Sequence, residues 1–234
     1  MYGYYFDPTY FLLVIGMLLS LAASARVKST FAIYSRVRSA SGLTGAEAAR
    51  RILHMAGITD VTVVPISGSL TDHYDPRNKV LRLSDATYGQ CSVAAVGVAA
   101  HECGHAIQHA RGYAPLQFRS ALVPVANFGS MIAWPLIVLG LFINSQSSAL
   151  LINIGILAFS LAVLFQLVTL PVEYNASGRA VRILAETGMM QGEEIVATKK
   201  VLNAAALTYV ASAAAAILQL VRILILTGGR RRDD

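Results

Sequence analysis

The stretch His101-Glu102-Cys103-Gly104-His105 sets two imidazoles and a carboxylate at a spacing suited to hydrolytic chemistry. On an α-helix, positions i and i+4 stack one turn apart on one face, so His101 and His105 can both reach one tetrahedral Zn2+ at ~2.1 Å, with Glu102 beside them. Zinc lowers the pKa of a water towards neutrality, and a carboxylate one residue after the first histidine is placed to take its proton and hand it to a departing amine. A catalytic zinc needs a third protein ligand and an open position. Glu173 is the first carboxylate after Glu102, beyond a long stretch without acidic residues, and would complete a two-histidine, one-glutamate set. Glu186, Glu193 and Glu194 compete with it farther along the chain. His109 continues the four-residue step but lies ~12 Å along a straight helix from His101, too far to share one ion, so it reads as a rim or packing residue. Cys103 points away around the helix and reads as packing.

The element that must hold the pair is a helix over about 93–111, with Ser92 as N-cap and an end near Gly112. Ionisable side chains in so Gly/Ala-rich a helix are costly to bury unless they are paired or bind metal. Upstream, Thr44 and Glu47 form a capping box for a short helix to about Met55, closed by Gly57. The stretches 61–64 and 79–83 read as strands. The second, beside the zinc helix, has two readings: an edge offered to an extended peptide, or closure of a small domain. Between them, residues 68–76 (GSLTDHYDP) can either satisfy their own hydrogen bonds or bring His73 and Tyr74 as donors to the oxyanion of a tetrahedral intermediate.

Composition places this site next to a bilayer. Hydrophobic residues make up 55% of the 234 positions and charged residues only 14%, which is charge-poor for a water-soluble domain. The uncharged run 10–25, with Pro8 and Thr9 in front, reaches the length of a membrane crossing over 8–25, and the absence of Lys and Arg before it argues for an uncleaved span over a signal peptide. From 121 to 170 no charged residue or histidine occurs, and the polar cluster 144–148 (NSQSS) divides this block into spans 121–143 and 149–170. That hairpin would return residue 173 to the side of the bilayer where the histidines lie. The run 204–227 is read as a fourth span in which Arg222 snorkels, or as a buried or interfacial helix.

Arg26, Lys28, Arg36, Arg38, Arg111, Arg119, Arg179, Arg182, Lys199 and Lys200 lie in segments 26–120 and 171–203, and they outnumber the tail arginines Arg230, Arg231 and Arg232. By the positive-inside rule the two segments are a cytoplasmic catalytic region, 171–203 supplying the third ligand. Four full spans would put the arginine tail outside, which the same rule disfavours. The net charge of +6 is accounted for by topology and anionic headgroups. No aromatic-basic strand or recognition-helix motif accompanies it, so no nucleic-acid partner is expected. Cys91 and Cys103 do not amount to a disulfide framework.

Taken together, the helix from Thr44, LTDHYDP at 70–76, VLRLS at 80–84, HECGHAIQ at 101–108 and PVEYNASGRA at 171–180 resemble the YugP-type family of neutral zinc metallopeptidases of bacterial membranes. More distantly, the order of HExxH, membrane hairpin and glutamate resembles HtpX-like proteases. Their zinc glutamate begins an ExxAD pattern, and here Ser177 stands at the final Asp position. The resemblance implies a gluzincin-like peptidase with a cytoplasmic active site. The expectation is thus an α+β, multi-span helical membrane protein of the cell membrane with a small gluzincin-like zinc peptidase domain. It would hydrolyse peptide bonds of peptide or protein substrates, membrane proteins among them. The alternatives are a zinc-dependent hydrolase of non-peptide amides and a non-enzymatic scaffold with a structural metal site.

Overall fold

The computed structural model describes residues 7–143 and 148–228. Residues 1–6, residues 144–147 of the polar cluster expected to divide the two spans, and residues 229–234 with the arginine tail 230–232 lie outside the described residues. The order along the described chain is α1 (Tyr10–Tyr34), α2 (Gly45–Met55), β1 (Thr62–Ile66), β2 (His73–Asp75), β3 (Val80–Ser84), α3 (Val93–Ala110), α4 (Ala114–Phe142), α5 (Ser148–Glu186) and α6 (Glu193–Gly228). The chain is an α+β membrane protein: α1, α4, α5 and α6 are each long and apolar enough to cross a bilayer. Two compact units divide it. One is Ala23–Gln117 with Leu170–Thr208, the other Met1–Ala22, Phe118–Thr169 and Tyr209–Asp234.

Local sequence explains most of the first unit. The Thr44 backbone N–H donates to Glu47 Oε2 at 2.8 Å and the Glu47 N–H donates back to Thr44 Oγ1 at 3.2 Å, satisfying two otherwise unpaired amides at the start of α2. Ala46, Ala48, Ala49, Ile52 and Leu53 form its buried face, and Gly57, at φ +74°, turns the chain away. Ser92 Oγ accepts from Ala95 N at 3.1 Å to open α3, and Gly112, at φ +62°, follows its end. Helix α3 is buried along nearly its whole length. Its two glycines explain how: a Cβ on Gly104 would lie 2.6 Å from Ala176 O of α5, and one on Gly97 3.0 Å from Thr198 Cγ2 of α6. On its other side Cys103 Sγ donates to Ala49 O of α2 at 3.5 Å.

The sheet corrects two expectations. Its order is β1-β3-β2, with β1 parallel and β2 antiparallel to β3. The strand predicted at 79–83 is therefore the central one, paired on both sides, and has no edge to offer a peptide; it closes the domain. The loop predicted at 68–76 contains β2, whose outer edge is open among the described residues. Three residues between Asp72 and Pro76 carry too little alternation to be recognised. Asp72 anchors the strand by accepting from Ser84 N at 2.8 Å and Ser84 Oγ at 2.9 Å.

In the second unit α4 and α5 pack with almost no side chain between them. A Cβ on Gly129 would lie 2.7 Å from Ala158 O, and one on Gly155 2.6 Å from Ile137 Cγ1. Small residues allow this approach where lipid provides no hydrophobic drive between helices. Phe128, Met131, Phe142, Leu150 and Leu157 are outward and exposed, as hydrocarbon-facing side chains should be. The helices run past the apolar stretches. Helix α5 continues from its uncharged part through Pro171 to Glu186, and α6 begins at Glu193, well before the apolar run at 204.

Arg222 does not snorkel into open water. It is buried, its Nε 3.2 Å from Thr9 Oγ1 and an NH2 3.6 Å from Asp7 Oδ2, with its guanidinium 4.6 Å over the Tyr10 ring. The end of α6 is thereby tied to the start of α1, as in two antiparallel helices of full length.

Candidate metal centre

Helix α3 presents His101 and His105 one turn apart, and α5 brings Glu173 against them. His101 Nε2 lies 3.3 Å and His105 Nε2 3.5 Å from Glu173 Oε2, and one ligand atom from each of the three residues falls within 4.8 Å of the others. The two rings meet edge to face, centroids 4.8 Å apart at 87°. Atoms bound at ~2.1 Å to a tetrahedral centre are roughly 3.4 Å apart, so this donor set fits Zn2+. Glu173 is reachable because α5 does not stop at Pro171: the helix that carries the uncharged stretch also carries the carboxylate.

The outward ring nitrogens are engaged by the protein. His101 Nδ1 is 3.1 Å from Ser177 Oγ, and His105 Nδ1 is 3.0 Å from Gln108 Oε1. An amide oxygen only accepts, so His105 Nδ1 carries a proton and a neutral ring offers its Nε2 lone pair to the cluster. Gln108 is completely buried, and its amide orientation is fixed because Nε2 donates to Val172 O at 2.8 Å and to Asn175 Oδ1 at 3.0 Å. Asn175 Oδ1 also accepts from Arg179 Nε at 2.7 Å. Burial works against a charge on His105, but its bond to Glu173, the Glu102 and Glu173 charges and its bond to Gln108 together outweigh burial and raise its pKa. Surroundings that favour a positive charge there suit a cation.

Glu102 is buried next to His101 on α3 and makes no hydrogen bond or ion pair among the described residues. Cys103 is wholly buried, faces α2, and has its thiol pKa pushed up by burial and then by the Glu102 charge, which suits packing and not ligation. The competing carboxylates lie elsewhere: Glu194 Oε1 accepts from Ala40 N at 2.7 Å, Glu193 is exposed, and Glu186 lines a separate cavity.

The two donors expected from the 68–76 loop separate. Tyr74 faces α3, its hydroxyl 2.8 Å from His109 Nδ1. Burial, and then the Asp60 and Asp75 charges, push its pKa up to about 12. His73 is not brought to the cluster. One residue earlier on a strand, it lies on the opposite face with its cross-strand partner Arg82, which is also held by Asp75 Oδ2 at 2.9 Å. Gln108 and Asn175 are the residues that sequence reasoning passed over. The signal was the i, i+3 relation of His105 to Gln108, which puts an amide over a histidine on one helix face.

HExxH spacing on a helix, in a chain with four helices of membrane-spanning length among the described residues, is the pattern of a membrane zinc metallopeptidase. The family described as "Putative neutral zinc metallopeptidase" matches residues 9–228, and the chain belongs to it. A protein of Bacillus subtilis (strain 168) named "Putative membrane protease YugP" is 48% identical over 221 residues, covering 94% of this chain and 97% of that protein. No solved structure matches the chain.

Proposed function

We propose that the chain is a gluzincin-like zinc endopeptidase in which His101, His105 and Glu173 hold the metal and Glu102 moves the proton. The observation that carries this is the meeting of the two Nε2 atoms with the Glu173 carboxylate next to a buried Glu102. Zinc, when bound, supplies a Lewis acid and a water acidified towards neutral pH. Glu102 accepts the proton from the attacking water and returns it to the nitrogen of the departing amine. Ser177 and Gln108 hold the rings of His101 and His105 in orientation. Tyr74, protonated at physiological pH and backed by His109, is the side chain assigned to the developing oxyanion.

The charge distribution supports a cytoplasmic location for 26–120 and 171–203, with Arg26, Lys28, Arg36 and Arg38 directly after the first apolar run. Substrates are peptides or proteins, and turnover or processing of membrane proteins is the task that suits a site in a membrane-embedded chain.

The test is Glu102→Gln in detergent-purified full-length protein, assayed with peptide, protein and non-peptide amide panels. Peptide cleavage should fall by about 10^2 to 10^4-fold with zinc content unchanged. Undiminished cleavage by the variant, or wild-type cleavage confined to non-peptide amides, contradicts the reading.

A further inference from the structure

Away from the metal cluster, a cavity of about 370 Å3 opens among residues from the last turns of α2, α3 and α5 and those just beyond them. Three arginines line it, Arg111, Arg179 and Arg182, against one acidic residue, Glu186. Its remaining wall is largely aliphatic, from Ile52, Met55, Ile107 and Ile183. Arg111 and Arg182 have no side-chain hydrogen bond, ion pair or ring contact among the described residues. Arg179 is already partnered, by its bond to Asn175 at 2.7 Å and by its position 5.8 Å over the Tyr113 ring, which leaves Arg111 and Arg182 as the arginines a ligand would meet.

Guanidinium groups of neighbouring arginines repel one another unless an anion joins them, and their planar forks match carboxylate and phosphate. The aliphatic wall separates the two: a bare phosphate would leave it wet, whereas an alkyl carboxylate covers it and meets the arginines at one end. A role as topology signals alone would require positive charge in these segments, without a cavity. We propose that this cavity binds an aliphatic carboxylate. Its volume is in the range of small-molecule sites. The same chemistry has two sources, a fatty acid and the free C-terminus of an apolar peptide. The site stands independently of the peptidase reading, because none of its residues belongs to the metal cluster.

Ligand-observed saturation-transfer NMR on zinc-loaded, full-length protein in detergent tests this, using hexanoate, N-acetyl-leucine, their amides and inorganic phosphate. At least one carboxylate should bind saturably, about tenfold or more tightly than its amide and than phosphate, and the tighter of the two identifies the source. The Arg111→Ala/Arg182→Ala double variant, whose substituted side chains are exposed, should fold normally and weaken carboxylate binding at least about tenfold. Carboxylate binding that persists in the double variant, including binding at the metal, overturns the proposal. So do amides or phosphate that bind as well as the carboxylates, and so does the absence of saturable carboxylate binding.

Discussion

His105 Nδ1 is held by Gln108, while its Nε2 faces Glu173 Oε2 at 3.5 Å. Its place one turn from His101 was legible because HExxH spacing is a local property of one helix. Its orientation was not, since Gln108 acts through Val172 and Asn175, far along the chain. Tyr74 gives a test at this scale. Its hydroxyl pKa is raised to about 12 by burial and by the Asp60 and Asp75 charges, from the ordinary value of 10.0. The raised value means that folding favours the protonated form. That contribution to stability is intact below pH 10 and is lost as pH rises from 10 towards 12. Alkaline difference absorbance of wild type against Tyr74→Phe should show this phenol ionising near the upper end of that window. Ionisation near pH 10 would mean that the hydroxyl is not buried against α3.

The elements of the site depend on how closely α3 approaches α5. Gly104 is the point of contact, and a methyl group there would press on the Ala176 carbonyl. Gly104→Ala should destabilise the protein by about 1–3 kcal/mol, in line with overpacking elsewhere, and weaken zinc binding by moving Glu173 off the histidines. Chemical denaturation and a zinc competition titration check both effects; unchanged zinc affinity would show that the helix separation does not set the cluster. The helix boundaries of α2 and α3 were readable because capping residues report locally. The continuity of α5 was not, because Pro171 and the change from uncharged to charged sequence both look like a break, while packing against α3 carries the helix through. Strand β2 was missed for the opposite reason: its pairing with β3 stabilises a segment with almost no strand pattern of its own.

For the whole molecule, composition alone announced a membrane protein, since uncharged runs of spanning length rarely occur outside a bilayer. The tie between Arg222 and Asp7 was invisible, because nothing local in either terminus names the other as its partner. The sidedness proposed from the basic residues is open to direct test through the native thiols. Cys103 is completely buried while Cys91 is partly exposed, so Cys91 is the reactive position. A membrane-impermeant maleimide should label Cys91 only after cells expressing the protein are permeabilised, with Cys91→Ser as the blank. Labelling of intact cells would place the catalytic segments outside.

The metal content of the purified full-length protein, measured by mass spectrometry of the elements, bears most directly on the cluster formed by α3 and α5. Wild type and Glu102→Gln should each carry one zinc per chain, and His101→Ala, His105→Ala and Glu173→Ala should lose most of it while keeping their helical circular dichroism. A wild-type chain without a stoichiometric divalent ion, or a Glu173→Ala chain that retains its zinc in full, would contradict the account.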